Sequence, residues 1–202
     1  MIIFNDLVIP ATSASTAALE VATAYHSPTL LSHSRRVYVW AAALAGQEGI
    51  TYDDELLFVA AMFHDLGLMP EFDSHTVSFE EAAGHVARVF AAGAGWSPER
   101  QDRLAEVIVR HMWPDVDVND DPEGHLISRA AALDIVGRDF DELTPEFRAE
   151  VLREHPRLGL AEEFLTCFRS QATRKPTSSA ARAIESGLST RITGNPLDAE
   201  HL

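Results

Sequence analysis

Asp54-Glu-Leu-Leu-Phe-Val-Ala-Ala-Met-Phe-His-Asp-Leu-Gly-Leu68 is the stretch on which the reading of this chain turns. Eight consecutive apolar residues, 56–63, run directly into an imidazole and a carboxylate. A run of this kind behind Asp53-Asp54-Glu55 reads as a buried helix, because those acids sit on the positive end of the helix dipole. Gly67 offers a stop just after Asp65. At helical spacing His64 shares a face with Leu57, Ala60 and Ala61, and Asp65 with Phe58, Ala61 and Met62. Burying both polar groups costs several kcal/mol unless something pairs with them, and a divalent metal is one such partner.

The same spacing dominates the rest of the chain, and alternating strand-like runs are nearly absent. Helices are predicted near 13–25, 32–47, 53–66, 76–93, 98–111, 123–137, 145–155, 158–174 and 177–186. Ser97-Pro98 and Thr144-Pro145 each put a capping hydroxyl before a proline at the first helical position. The stretch Trp113–Glu123, with two prolines and five acids, reads as a solvated loop. Its acids lack the central glycine and closing glutamate of a calcium loop. The expectation is an all-α, single-domain helical bundle over 13–186, with an N-terminal arm over 1–12 and a C-terminal tail over 187–202. The tail lacks periodicity and reads as frayed or as a partner arm.

Composition limits the function. The 202 residues suffice for one sizeable core, and 46% hydrophobic with 23% charged residues is ordinary for a globular protein. The formal net charge is −15, and Lys175 is the only lysine. So acidic a chain argues against nucleic acid and against anionic membranes as partners, and leaves a small-molecule substrate. Cys167 is the only cysteine, so an internal disulfide is excluded and a cytoplasmic location is the default. The amino terminus does not read as a signal peptide, and no apolar run approaches the ~20 residues of a membrane helix. A homo-oligomer through the first helix or the tail stays open.

Two more polar residues fall on apolar faces. His33 shares a face with Val37, Trp40 and Leu44, and Asp134 follows Ile127, Ala130 and Ala131 by one or two turns. Two imidazoles and two carboxylates entering one core suit a divalent transition metal. Each has a plainer reading: a core histidine bonded to a backbone carbonyl, or an aspartate paired with an arginine such as Arg129 or Arg138.

The order His33 … His64-Asp65 … Asp134 resembles the HD superfamily of metal-dependent hydrolases. Further segments are similar to its cyanamide-hydratase-like branch: His33-Ser-Arg-Arg-Val-Tyr-Val-Trp40, Tyr52-Asp-Asp-Glu-Leu-Leu57, His64-Asp-Leu-Gly-Leu68, Phe79-Glu80, Asp134-Ile-Val-Gly-Arg138, His155-Pro-Arg157 and Arg174-Lys-Pro176. Together they span roughly residues 30–185. The resemblance implies one metal held by His33, His64, Asp65 and Asp134, zinc being favoured and iron, manganese or cobalt the alternatives. It implies a hydrolase or hydratase acting on a cyanamide- or nitrile-like molecule, with Asp65 and His111 as catalytic residues. A phosphohydrolase acting on nucleotides or other phosphate esters is the alternative. A di-iron oxygenase would need His85 and His111 as ligands of a second metal, and a non-enzymatic sensor would keep the fold without turnover.

Arg36, His85, His111 and Lys175 are the expected substrate-pocket residues. Arg36 lies one turn after His33, where it could orient Asp65 or contact substrate, and Lys175 could close a salt bridge or cover the pocket. Cys167 reads as a small buried hydrophobe. His26, His75, His125, His155 and His201 read as surface or capping residues.

Overall fold

The computed structural model describes residues 9–199, which contain ten α-helices and no strand. Thr12 caps α1 (Ser13–Tyr25) through the Ser15 amide. Helix α2 (Pro28–Glu48) starts earlier than the predicted residue 32, because Ser27 caps Leu30 and Pro28 sits at the first helical position. Asp53 caps α3 (Asp54–Phe63), and Ser78 with Glu81 forms a capping box on α4 (Phe79–Gly93). The Ser97 and Thr144 hydroxyls accept from the amides of α5 (Pro98–Arg110) and α7 (Pro145–Glu154), as the Ser-Pro and Thr-Pro steps predicted. Between them, α6 (Pro122–Val136) is capped by Asp121, and α8 (Leu160–Arg174) and α9 (Ser179–Glu185) follow.

Helix α3 is sheathed on all sides: every residue from Leu56 to Phe63 is buried, against α1, α2, α5 and α6. That arrangement answers to an uninterrupted apolar run. Trp40, Phe58, Phe63, Phe79 and Phe168 are the bulkiest apolar side chains of the interior.

Three expectations are corrected. Helix α3 ends at Phe63, before His64, so Gly67 is not its stop. Gly67 lies instead in a 3-10 turn, Leu66–Leu68, against α4, where a Cβ would lie 2.0 Å from the Phe79 carbonyl oxygen. The loop after Trp113 is not wholly solvated. Asp121 and Glu123 are buried and take Arg103, and Asp121 also takes Arg110, across the junction of α5 and α6. After Ser186 the chain is regular, with α10 (Leu188–Thr193) and a 3-10 turn at Pro196–Asp198. Leu188, Ile192 and Leu197 are buried, and α10 packs on α6, α8 and α9. Three apolar residues over ten positions are too few to announce themselves by periodicity.

Candidate metal centre

Helix ends do much of the positioning. His64 is the C-cap of α3, and its Nδ1–H donates to the Ala61 carbonyl at 2.8 Å, one of the acceptors a helix leaves unpaired at its end. The Nε2 lone pair therefore points inward. His33, in the second turn of α2, reaches the same place from the other side. Its Nδ1–H donates to Asp134 Oδ2 at 2.6 Å, so its Nε2 also presents a lone pair. Asp65 follows His64 in the turn and supplies Oδ2, a buried oxygen with no hydrogen-bond partner.

These three atoms form a nearly equilateral triangle. His33 Nε2 to His64 Nε2 is 3.2 Å, His64 Nε2 to Asp65 Oδ2 is 3.3 Å, and His33 Nε2 to Asp65 Oδ2 is 3.4 Å. Tetrahedral donors bound at about 2.0–2.1 Å to one ion stand about 3.3–3.4 Å apart, so the edges fit a divalent metal. Three buried electron pairs directed at one point demand positive charge. The demand shows in the titration of the groups. Burial pulls His33 down, but its bonds to Asp134 and Asp65 prevail and its pKa is raised. Burial pushes Asp65 up, but the neighbouring His64 and His33 hold it well below the usual carboxylate range. The metal-capable cluster among the described residues is His33, His64 and Asp65.

Asp134 is not brought to the triangle. It stands across the His33 ring, and all its acceptor positions are taken. Arg36 grips it with both ends of the fork, Nε to Oδ1 at 2.8 Å and Nη2 to Oδ2 at 2.8 Å. Trp40 Nε1 donates to Oδ1 at 2.9 Å. Arg36 is itself fully buried and completes its bonding on the carbonyls of His155 and Pro156, both at 2.9 Å. Burial raises the Asp134 carboxyl, but the Arg36 charge and the His33 bond hold it well below its ordinary value. The arginine partners are thus Arg36 and Arg157, not Arg129 or Arg138; Arg129 is occupied by Glu48 and Glu142.

The triangle forms part of the wall of a cavity of about 160 Å³. His111, the C-cap of α5, lines it too and repeats the device of His64: its Nδ1–H donates to the Ile108 carbonyl three residues back. Its ring meets His64 edge-on at 5.1 Å between centroids. Burial, reinforced by His64, lowers the His111 pKa to about 4, so the ring is neutral with Nε2 as an acceptor.

The other expected pocket residues lie elsewhere. Arg36 is sealed behind His33 by Asp134. His85 is exposed on α4 and lines a separate groove beside Arg88 and Asp102, not the cavity that His111 lines. Lys175 donates to Asp73 and to the carbonyls of Ser74 and Val77, which ties down the loop before α4 instead of covering the cavity. Cys167 is half-buried and burial pushes its thiol up to about 11, which suits a packing residue.

His26, expected as a surface or capping residue, is the C-cap of α1 and is buried with neither ring nitrogen bonded. Burial brings its pKa to about 4, and it feels the charges of Asp65, His64 and His33. Nothing in the sequence around it marks it, since it closes a helix of mixed polarity. His201 lies outside the described residues.

The helical bundle buries, beside a small cavity, a His-His-Asp triangle that could hold a metal ion. The chain belongs to the HD domain family, whose model matches residues 30–135, just over half of the chain. Membership, with the cluster, points to a divalent metal and to metal-dependent hydrolase chemistry. The match defines the family and not the branch within it. No curated protein matches the chain. No helix of the described residues is long and apolar enough to cross a membrane.

Proposed function

We propose that this chain is a metal-dependent hydrolase or hydratase of the cyanamide-hydratase-like kind, acting on a small nitrile- or cyanamide-like molecule. The observation that carries the reading is the triangle of His33 Nε2, His64 Nε2 and Asp65 Oδ2 opening on a cavity of about 160 Å³. Three protein donors beside a cavity are the arrangement of a catalytic site, where one position stays free for water or substrate. The volume favours a small substrate over a nucleotide, because pockets for drug-sized ligands begin near ~300 Å³.

When bound, a divalent ion supplies Lewis acidity and water acidified to a pKa near ~7. The residues do the remainder. Asp65, ionised, accepts a hydrogen bond that turns the attacking water. His111, neutral with Nδ1–H committed to Ile108, takes a proton at Nε2 and returns it to the substrate nitrogen. In hydration of a nitrile, the water oxygen joins the nitrile carbon and both water protons end on the product amide.

Elemental analysis of untreated protein and an assay panel of cyanamide, benzonitrile and deoxynucleoside monophosphates test the reading. About one zinc, iron, manganese or cobalt per chain with amide or urea formation is expected. Protein that holds none and acquires none on incubation overturns the metal centre, and phosphate release without nitrile turnover replaces the reading with a phosphohydrolase. His111→Gln is expected to lower kcat by about 10²–10⁴-fold with metal content unchanged. A wild-type kcat in that variant removes His111 from the proton path.

A further inference from the structure

The cavity is not electrically neutral. Its walls are apolar, with Ile135 on α6, Phe164 and Phe168 on α8, and Leu188 on α10, but two exposed arginines, Arg138 and Arg191, stand at its mouth. Most arginines of this acidic chain are committed to carboxylates: Arg100 to Asp53 and Glu55, Arg103 to Asp121 and Glu123, Arg129 to Glu48 and Glu142. The Arg138 side chain makes no hydrogen bond or ion pair with any described residue, and the Arg191 side chain reaches only the Ser186 hydroxyl, at 3.1 Å. Arg35, Arg169 and Arg182 also lack a carboxylate among the described residues, but Arg138 and Arg191 are the two such guanidiniums that line the cavity.

Their placement is built into the fold. Gly137, at φ +69, ends α6 in the left-handed region and turns Arg138 out towards the mouth. Its missing side chain leaves room for Pro196, which a Cβ would meet at 2.4 Å. The preceding Asn195 donates to the Asp134 carbonyl at 2.8 Å, so this seam locks the end of the chain to the helix that carries Arg138. Helix α10 packs on α6 across the same seam and brings Arg191 to the rim.

We infer that the cavity selects a small carboxylate: an apolar body about the size of one aromatic ring, with its anionic group read by Arg138 and Arg191 and its reacting group turned towards the His-His-Asp triangle. The size follows from the volume, about 160 Å³ against the ~150 Å³ of an apolar cavity that takes benzene. The charge follows from two donors suited to a planar carboxylate. A neutral substrate such as cyanamide uses neither arginine. The inference rests on the hydrolase reading only for which end of the molecule reacts.

Calorimetric titration of the untreated full chain with benzoate and with benzamide, its neutral isostere, tests the selection. Benzoate is expected to bind about tenfold more tightly than benzamide and to lose that advantage as salt rises. Arg138→Gln and Arg191→Gln are each expected to weaken benzoate about three- to tenfold. Arg153→Gln, on the exposed face of α7 beside Glu150 and Glu154, leaves the affinity unchanged. Equal binding of the two probes overturns the inference. So does benzoate binding indifferent to both arginine substitutions, which places the carboxylate at the metal centre. Metal content and turnover of benzonitrile and 4-cyanobenzoate, measured on the same samples, separate the two proposals. Arginine-dependent benzoate binding without metal or turnover removes the hydrolase and leaves the carboxylate site. Turnover that prefers benzonitrile over 4-cyanobenzoate removes the carboxylate site and leaves the hydrolase.

Discussion

Asp65→Ala is expected to abolish both bound metal and turnover while leaving the helices in place. Asp65 Oδ2 is the only anionic corner of the triangle, and it has no hydrogen bond inside the protein. Removing it leaves two neutral imidazoles, which hold a divalent ion far more weakly than the full set. The loss of affinity should exceed the about 10–100-fold typical of an outer partner. In the absence of metal Asp65 is held ionised by His64 and His33, so the variant should be somewhat less stable than metal-free wild type near neutral pH while remaining folded. Elemental analysis, circular dichroism and the denaturation midpoint of chelator-treated proteins check this together. An Asp65→Ala protein that keeps a full equivalent of metal would place the ion somewhere else.

Asp134→Ala carries the largest cost in stability. It strands the fully buried Arg36 guanidinium, and breaking a buried pair by deleting one partner costs about 3–5 kcal/mol. For a domain of this size that is a fall in Tm of about 6–20 °C. Metal affinity should fall only about 10–100-fold, because His33 keeps its Nε2 and loses the carboxylate that orients it. Replacing both members, Asp134→Leu with Arg36→Met, should recover much of the stability and none of the metal affinity. Asp134 holds its proton less readily in the folded protein than in the unfolded chain, where a carboxyl titrates near ~3.9. Its contribution is therefore complete above about pH 4–5 and lost as the pH falls through the lowered folded value, so wild type and Asp134→Ala should converge in stability in acid. Thermal melts across pH measure this. Loss of metal as complete as in Asp65→Ala would make Asp134 a direct ligand.

Much of this architecture was legible because it is local. Ser97-Pro98, Thr144-Pro145 and Asp53 announce helix starts within four residues, and the uninterrupted run 56–63 announces its own burial. The inward direction of His33, His64 and Asp134 followed from spacing. What Asp134 does there did not follow, because its partner, Arg36, is 98 positions away and an apolar face says only that some partner exists. The same limit left Arg36 and Lys175 with more than one reading: Arg36 turns to Asp134 and not to Asp65 or the cavity, and Lys175 closes a salt bridge to Asp73, one of its two readings. His26 closes α1 as its capping reading has it, but its burial did not follow, because that depends on what packs over the helix end.

The Asp134 network has a consequence for what counts as the unit. The family pattern closes at residue 135, one position past Asp134. Yet Arg36 ends on the carbonyls of 155 and 156, and both Arg157 and Asn195 clasp the Asp134 carbonyl. The recognisable stretch holds the candidate ligands, while the scaffolding that fixes their geometry extends to residue 195, through residues that the pattern does not describe. Inheritance of the motif and inheritance of a working centre are therefore separable, and sequence drift after residue 135 can detune the site without touching a single ligand.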